Sequence, residues 1–103
     1  MPAGEIRYLD RGTQFLVTLR DGDEVVDLSD ATTLQLLFKK PSSELLTKTA
    51  TLYTNGTDGK IYYLSNATDL NEVGTWYLQA FIIIYTDEFH SDIASFKVHR
   101  NLG

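Results

Sequence analysis

Hydrophobic and polar residues alternate most clearly over the last third of the chain. From Gly74 the sequence runs G-T-W-Y-L-Q-A-F-I-I-I-Y, then T-D-E, then F-H-S-D-I-A-S-F-K-V. Successive side chains of a strand point to opposite faces. Trp76, Leu78, Ala80, Ile82 and Ile84 therefore share one side of the first arm, and Tyr77, Gln79, Phe81, Ile83 and Tyr85 share the other. A strand with one wet face carries polar residues on its second side. Here that side turns apolar from Phe81 onward, which predicts cover on both faces. The pattern predicts a long terminal hairpin, residues 74–98, around which the rest is organised.

The same period of two recurs upstream. Residues 5–9 read as a short edge strand. Residues 13–20 place Phe15, Val17 and Leu19 inward, with Gln14, Leu16, Thr18 and Arg20 outward. Residues 25–28 read as a brief strand ending at Ser29. Residues 33–39 place Leu34, Leu36 and Phe38 inward and Leu37 outward, and Pro41 ends the strand because it has no N–H for a ladder. Residues 45–53 put Leu46, Ala50 and Leu52 on one side with Lys48 at their register, the mark of an edge or a bend. Residues 60–64 form a short strand after the loop Asn55-Gly56-Thr57-Asp58-Gly59. Asn66 to Asn71 is the only stretch suited to a helical turn. Turn-forming Gly, Asp, Asn and Ser clusters separate these runs. Short strands at this spacing predict an all-β fold. The expected architecture is an immunoglobulin-like antiparallel β-sandwich of about seven strands, a single domain over residues 1–103, with Trp76 between the sheets. A small open barrel is the alternative.

Composition narrows the function. The 103 residues are 43% hydrophobic and 22% charged, as in ordinary globular domains. There is no cysteine, so disulfides, thiol catalysis and Cys-based zinc sites are excluded. The formal net charge is −5, the wrong sign for binding phosphate backbones. Nucleic acid and anionic membrane are therefore not expected partners. The longest wholly apolar run, residues 80–85, falls far short of the roughly 20 residues that span a bilayer. The start, M-P-A-G-E-I-R, lacks a basic segment followed by an apolar one, so no signal peptide is expected and synthesis is placed in the cytoplasm.

Each candidate for chemistry has a plainer reading. D-G-D-E-V-V-D, Asp21 to Asp27, is acidic enough for calcium, but Val25 stands at the third ligand position and Thr32 at the twelfth of an EF-hand frame; a hairpin turn fits better. N-G-T-D-G-K, Asn55 to Lys60, lacks the phosphate-loop spacing. His90 and His99 are nine residues apart on one expected strand, an odd spacing that sends them to opposite faces. No nucleophile elbow is present, and none of the 14 acidic residues is singled out as part of a glycosidase pair. Asn55-Gly56-Thr57 and Asn66-Ala67-Thr68 match the glycosylation sequon and read as loop chemistry. No cofactor, metal or catalytic residue is expected.

What stands out is a set of outward apolar positions: Leu16, Leu37, Tyr77, Phe81, Ile83, Tyr85 and Ile93. Scattered exposed apolar residues are normal, but Phe81 and Ile83 on one side of one strand predict a patch that another chain covers. The expectation is a subunit interface in a homo-oligomer or larger assembly, with Phe81→Ser and Ile83→Ser leaving the monomer folded. A glycan- or receptor-binding surface built from Tyr53, Tyr62 and Tyr63 is the competing expectation.

The stretch D-R-G-T-Q-F-L-V-T-L-R-D-G-D-E-V-V-D-L-S-D-A-T-T-L-Q-L-L-F-K-K-P, Asp10 to Pro41, resembles the N-terminal domain of phage baseplate upper proteins. The likeness lies in an extended strand, an Asp/Gly turn, V-D-L-S-D-A-T, an apolar strand and K-K-P. It continues through Thr49-Ala50, Thr57-Asp58-Gly59, Tyr62-Tyr63 and Gly74-Thr75-Trp76. The resemblance implies an immunoglobulin-like module of a phage virion, attached to tail, baseplate or capsid and made in the bacterial host cytoplasm. Its implied partners are other virion proteins. Family members usually continue into a longer fibre or receptor-binding region, whereas this chain stops at Gly103, so a free-standing adaptor or a capsid decoration protein is also expected. Within the same stretch, Leu28 is placed to anchor a crossing between sheets, with Asp27 and Ser29 bonding the backbone at the bend.

Overall fold

The computed structural model describes residues 6–101. Glu5, the expected start of the edge strand, lies outside them, as do residues 1–4 of the N-terminal stretch read for a signal. The described residues contain no helix and form two packed sheets with a small hairpin, an all-β, sandwich-like arrangement. In chain order the strands are β1 (Ile6–Arg7), β2 (Gln14–Thr18), β3 (Arg20–Asp21), β4 (Glu24–Val25), β5 (Ala31–Lys39) and β6 (Leu45–Thr49). Then come β7 (Thr51–Leu52), β8 (Lys60–Leu64), β9 (Gly74–Ile84), β10 (Asp87–His90) and β11 (Ala94–His99).

The larger sheet has the order β1-β11-β9-β5-β6, with β10 also paired to β9. The smaller is β2-β8-β7, and β3-β4 is a separate hairpin. There are more segments than the pattern predicts because long strands are interrupted, two of them where the chain leaves its sheet and the last, between β10 and β11, within the larger sheet. β2 and β3 are separated at Leu19, whose amide donates to the Gly59 carbonyl at 2.7 Å. β6 and β7 are separated at Ala50, where the chain leaves the larger sheet and joins the smaller. The buried Ala50 leaves room for that crossing, and Lys48 at the inward register marked the bend. β4 is shorter than expected and one residue early, because Val26 and Leu28 donate instead to the Leu19 and Gly56 carbonyls. Leu28 is buried, and Asp27 Oδ1 accepts the Ser29 N–H at 2.9 Å, as the sequence predicts.

Two expectations need correction. The pairing is not wholly antiparallel: β1 runs parallel to β11, Ile6 opposite Val98 and Arg7 opposite His99. The segment from Asn66 is a turn rather than a helix. The Asp69 N–H reaches the Asn66 carbonyl at 3.2 Å, while the Asp69 carboxylate accepts the Asn66 N–H at 2.7 Å. A side chain that bonds the local backbone in this way competes with helix.

β9 organises the larger sheet. It pairs with β5 along most of its length and with β10 and β11 on its other edge. Trp76, Leu78, Ala80 and Ile82 are all buried, as the alternation predicts. Trp76 lies 5.8 Å from Phe96 in a stacked arrangement and donates Nε1–H to the Glu72 carbonyl at 3.0 Å. Phe15, from the smaller sheet, meets Phe38 at 5.1 Å and Phe96 at 5.0 Å, both from the larger. Aromatic pairs at such spacings add roughly 0.5–1.5 kcal/mol each beyond area burial, so this cluster joins the two sheets.

Candidate functional site

The outward face of the larger sheet is set by the register. Leu37 lies opposite Gln79 and Thr47, Lys39 opposite Tyr77 and Leu45, and Ser95 opposite Tyr77. Leu45, Lys39, Tyr77 and Ser95 thus form one row across β6, β5, β9 and β11. Gln35, Phe81 and His90 form another row nearer the hairpin tip.

One feature of this face was not foreseen. His90 pairs with Phe81, and Ala94 pairs with Leu78. Three steps on β9 face four steps on the other strand, so one extra residue is accommodated at 91–93. Such a bulge leaves a residue unpaired and re-aims side chains. Ser91 secures it. Its Oγ accepts the Ala80 N–H at 2.8 Å, its carbonyl accepts Gln79 Nε2 at 2.9 Å, and its N–H donates to the Ala80 carbonyl at 3.1 Å. The insertion shifts the alternation by one. His90 and His99 therefore share the outward face instead of lying on opposite faces, although far apart along it. The alternation itself changes parity: Phe89, opposite Ile82, falls on the inner side of the sheet at an odd position although it is 40% exposed, while Phe96 and Val98 do so at even ones.

The bulge brings Ile93 beside Tyr77. Leu37, Lys39, Leu45, Tyr77, Gln79 and Ile93, with Leu78 between the sheets, line an apolar groove of about 140 Å³. Tyr77 is 48% exposed, Leu45 62% and Ile93 66%. Leu45 lies outside the expected set, although alternation with the inward Leu46 already places it on the outward side.

The expected interface set divides. Leu37, Tyr77 and Ile93 come together in the groove. Phe81 and Ile83 are half-buried further along the same face, Phe81 with its ring 4.9 Å from that of His90. Tyr85 stands at the hairpin tip, 73% exposed. Leu16 belongs to the other sheet, opposite Tyr62, beside a cleft of about 330 Å³ shared with His90, Ser91 and Asp92. Of the aromatics considered for a glycan, Tyr53 and Tyr62 meet edge to face at 6.0 Å, with Lys60 Nζ 6.0 Å from the Tyr53 ring centre. Tyr63 faces inward and donates its hydroxyl to Asp69.

The electrostatics of the groove face differ from those of the whole chain. None of β1, β5, β6, β9 and β11 contains an Asp or Glu. Lys39 and Lys97 project outward there, Lys97 opposite Thr75. Carboxylates are densest towards the other end: Asp21 and Glu24 on β3 and β4, Asp27 and Asp30 after them, and Asp87 and Glu88 on β10. Beside the groove, Glu44 precedes Leu45 and is paired with Lys40 at 2.9 Å, and Asp92 precedes Ile93. The acidic Asp21–Asp27 stretch forms the β3–β4 hairpin and the bend after it. Compared with protein-family models and with curated proteins, the sequence matches none of either.

Proposed function

We propose that this chain is a non-enzymatic structural module of a phage virion, of immunoglobulin-like type, which docks onto tail or baseplate subunits through the outward face of its larger sheet. The observation that carries the reading is the apolar groove between Leu37, Leu45, Tyr77 and Ile93, open to solvent on strands free of carboxylates. Contiguous exposed apolar surface of this kind marks protein contacts. The likeness of Asp10 to Pro41 to phage baseplate upper proteins supports the virion setting, and a place on the capsid as a decoration protein would use the same face. Acidic loops at the far end keep the free subunit soluble.

The test is recovery of the chain in particles purified from the strain that carries its gene, by mass spectrometry and immunogold labelling. The chain is expected in the particle fraction. The folded double variant Tyr77→Ser/Ile93→Ser is expected to be missing from it. Absence of the parent chain from particles, or incorporation indifferent to the groove, refutes the proposal.

A further inference from the structure

Tyr85 is an unusual residue at an unusual place. Ile84 pairs with Asp87, so Tyr85 and Thr86 form a two-residue hairpin turn. Tyr85 has φ +57°, a conformation that tight hairpin turns normally give to Gly, Asn or Asp. A bulky residue held there carries a conformational cost that persists where function uses it. Its ring is the most exposed large hydrophobic group among the described residues, and its hydroxyl is 3.1 Å from Asp30 Oδ2. Asp30 holds the hydroxyl of this aromatic knob, and Asp87 and Glu88 follow the turn on β10, so acidic residues flank it.

The groove at the other end of β9 has the complementary character. It is apolar, large enough for one aromatic ring and rimmed by Lys39, with Lys97 two residues beyond Ser95 on the same face of β11; of the acids beside it, Glu44 is paired with Lys40, and Asp92 precedes Ile93. Neither lysine has an ion pair among the described residues. Tyr85 lies eight residues from Tyr77, roughly 26 Å along a strand. No subunit's tip reaches its own groove.

We propose that the occupant of the groove is a second copy of this chain: Tyr85 of one molecule seats between Leu45, Tyr77 and Ile93 of the next, with Asp87 and Glu88 against Lys39 and Lys97. The inference rests on the docking reading above and names its partner. Because tip and groove are different surfaces, the contact is heterologous, and repeating it gives a ring or a filament rather than a closed two-fold dimer.

The test is sedimentation velocity of the purified full chain over a range of concentrations, at low and high salt. The mass is expected to rise with concentration beyond that of a dimer and to fall at high salt, since exposed charges are screened. Tyr85→Gly and Ile93→Glu are each expected to remain monomeric, and their equimolar mixture to form one-to-one heterodimers and stop there, each partner supplying one working half. Tyr85→Gly suits the turn, so its thermal melt is expected to be no lower than the parent's; Tyr85→Asn serves if glycine loosens the hairpin. A parent that stays monomeric throughout, a parent that stops at dimers, association unchanged in Tyr85→Gly, or a mixture that fails to pair overturns the proposal. Such a failure with particle incorporation still dependent on Tyr77 and Ile93 assigns the groove to a different virion protein. Incorporation independent of both residues removes the docking reading itself.

Discussion

Asp69 and Lys48 form a polar clasp at the crossing from β6 to β7, and removing it should be costly. Lys48 Nζ lies 3.0 Å from Asp69 Oδ1, with Lys48 25% and Asp69 8% exposed at the side chain. The other carboxylate oxygen receives the Tyr63 hydroxyl and the Asn66 N–H. The Lys48 ammonium also sits 5.9 Å from the Tyr63 ring centre. Losing one partner of a fully buried pair costs roughly 3–5 kcal/mol. A hydrogen bond to a charged group contributes roughly 1.5–3 kcal/mol. Lys48 retains enough exposure to rehydrate, so Asp69→Asn should cost about 2 kcal/mol, at the lower part of that range. For a chain of this length that corresponds to a drop in Tm of roughly 8–16 °C. Lys48→Met leaves Asp69 its two other donors and should cost about 1 kcal/mol, and a double-mutant cycle should return a coupling of about 1 kcal/mol.

The pH dependence gives an independent check. Burial alone would raise Asp69, but the Tyr63 hydroxyl, the Asn66 N–H and Lys48 together hold it below the usual carboxylate range. Its stabilisation is therefore present above the unfolded-state value of about 3.9 and is lost as pH falls through the folded value. Tyr63 moves the other way: burial first, then the bond to Asp69 and its charge, raise the phenol above its usual value. That contribution is present below about pH 10 and is lost at higher pH, as the phenol ionises more readily in the unfolded chain. Urea unfolding of the parent and of Asp69→Asn should show a constant gap between about pH 5 and 9 that narrows below about pH 4. A gap under about 0.5 kcal/mol at neutral pH, within the range of ordinary surface changes, or one that fails to narrow in acid, would show that the clasp does not anchor the crossing.

Three further outcomes are expected. Trp76 is the chain's single tryptophan and is fully buried, so its emission should be blue-shifted; Trp76→Phe leaves the Glu72 carbonyl without its donor and should cost roughly 2 kcal/mol by urea unfolding. Gly56 has φ +96°, and a Cβ there would lie 2.7 Å from the Ser29 nitrogen and 2.9 Å from the Leu28 carbonyl carbon; Gly56→Ala should therefore free the Leu28 amide to faster hydrogen exchange. Ser91→Ala removes the acceptor for the Ala80 N–H and should cost roughly 1–2 kcal/mol, with faster exchange at Ala80; unchanged exchange there would mean that another group takes over the bond.

Local pattern fixed much of the fold and little of the site. β8 begins and ends where alternation and the preceding glycine loop place it, and the inward sets of β2, β5 and β9 are as expected. The failures lie where a strand departs from simple period two. Residues 45–53 keep one alternation while changing sheets at Ala50, because a small residue passes between layers without breaking the pattern. The parallel pairing of β1 with β11 joins segments some ninety residues apart, and nothing local to either encodes it. The groove was half legible: Tyr77, Leu37 and Ile93 were outward apolar positions, but their meeting depends on a bulge that acts across two strands.

That bulge ties the fold to the proposed docking. Without the extra residue, β10 and β11 would run as one regular arm, and Ile93 would fall at an ordinary alternating position rather than beside Tyr77. The ladder loses regular pairing at 91–93, and Ser91 compensates with its side chain and its backbone. Charge follows a similar division. In a chain of net charge −5, the central strands of the larger sheet carry no carboxylate and the turns at one end carry many. A strand paired on both edges exposes only alternate side chains, so excluding acids from those few positions sets the character of the face at little cost to solubility. The net charge is a sum over the whole chain, and it conceals the uneven distribution on which the proposed docking rests.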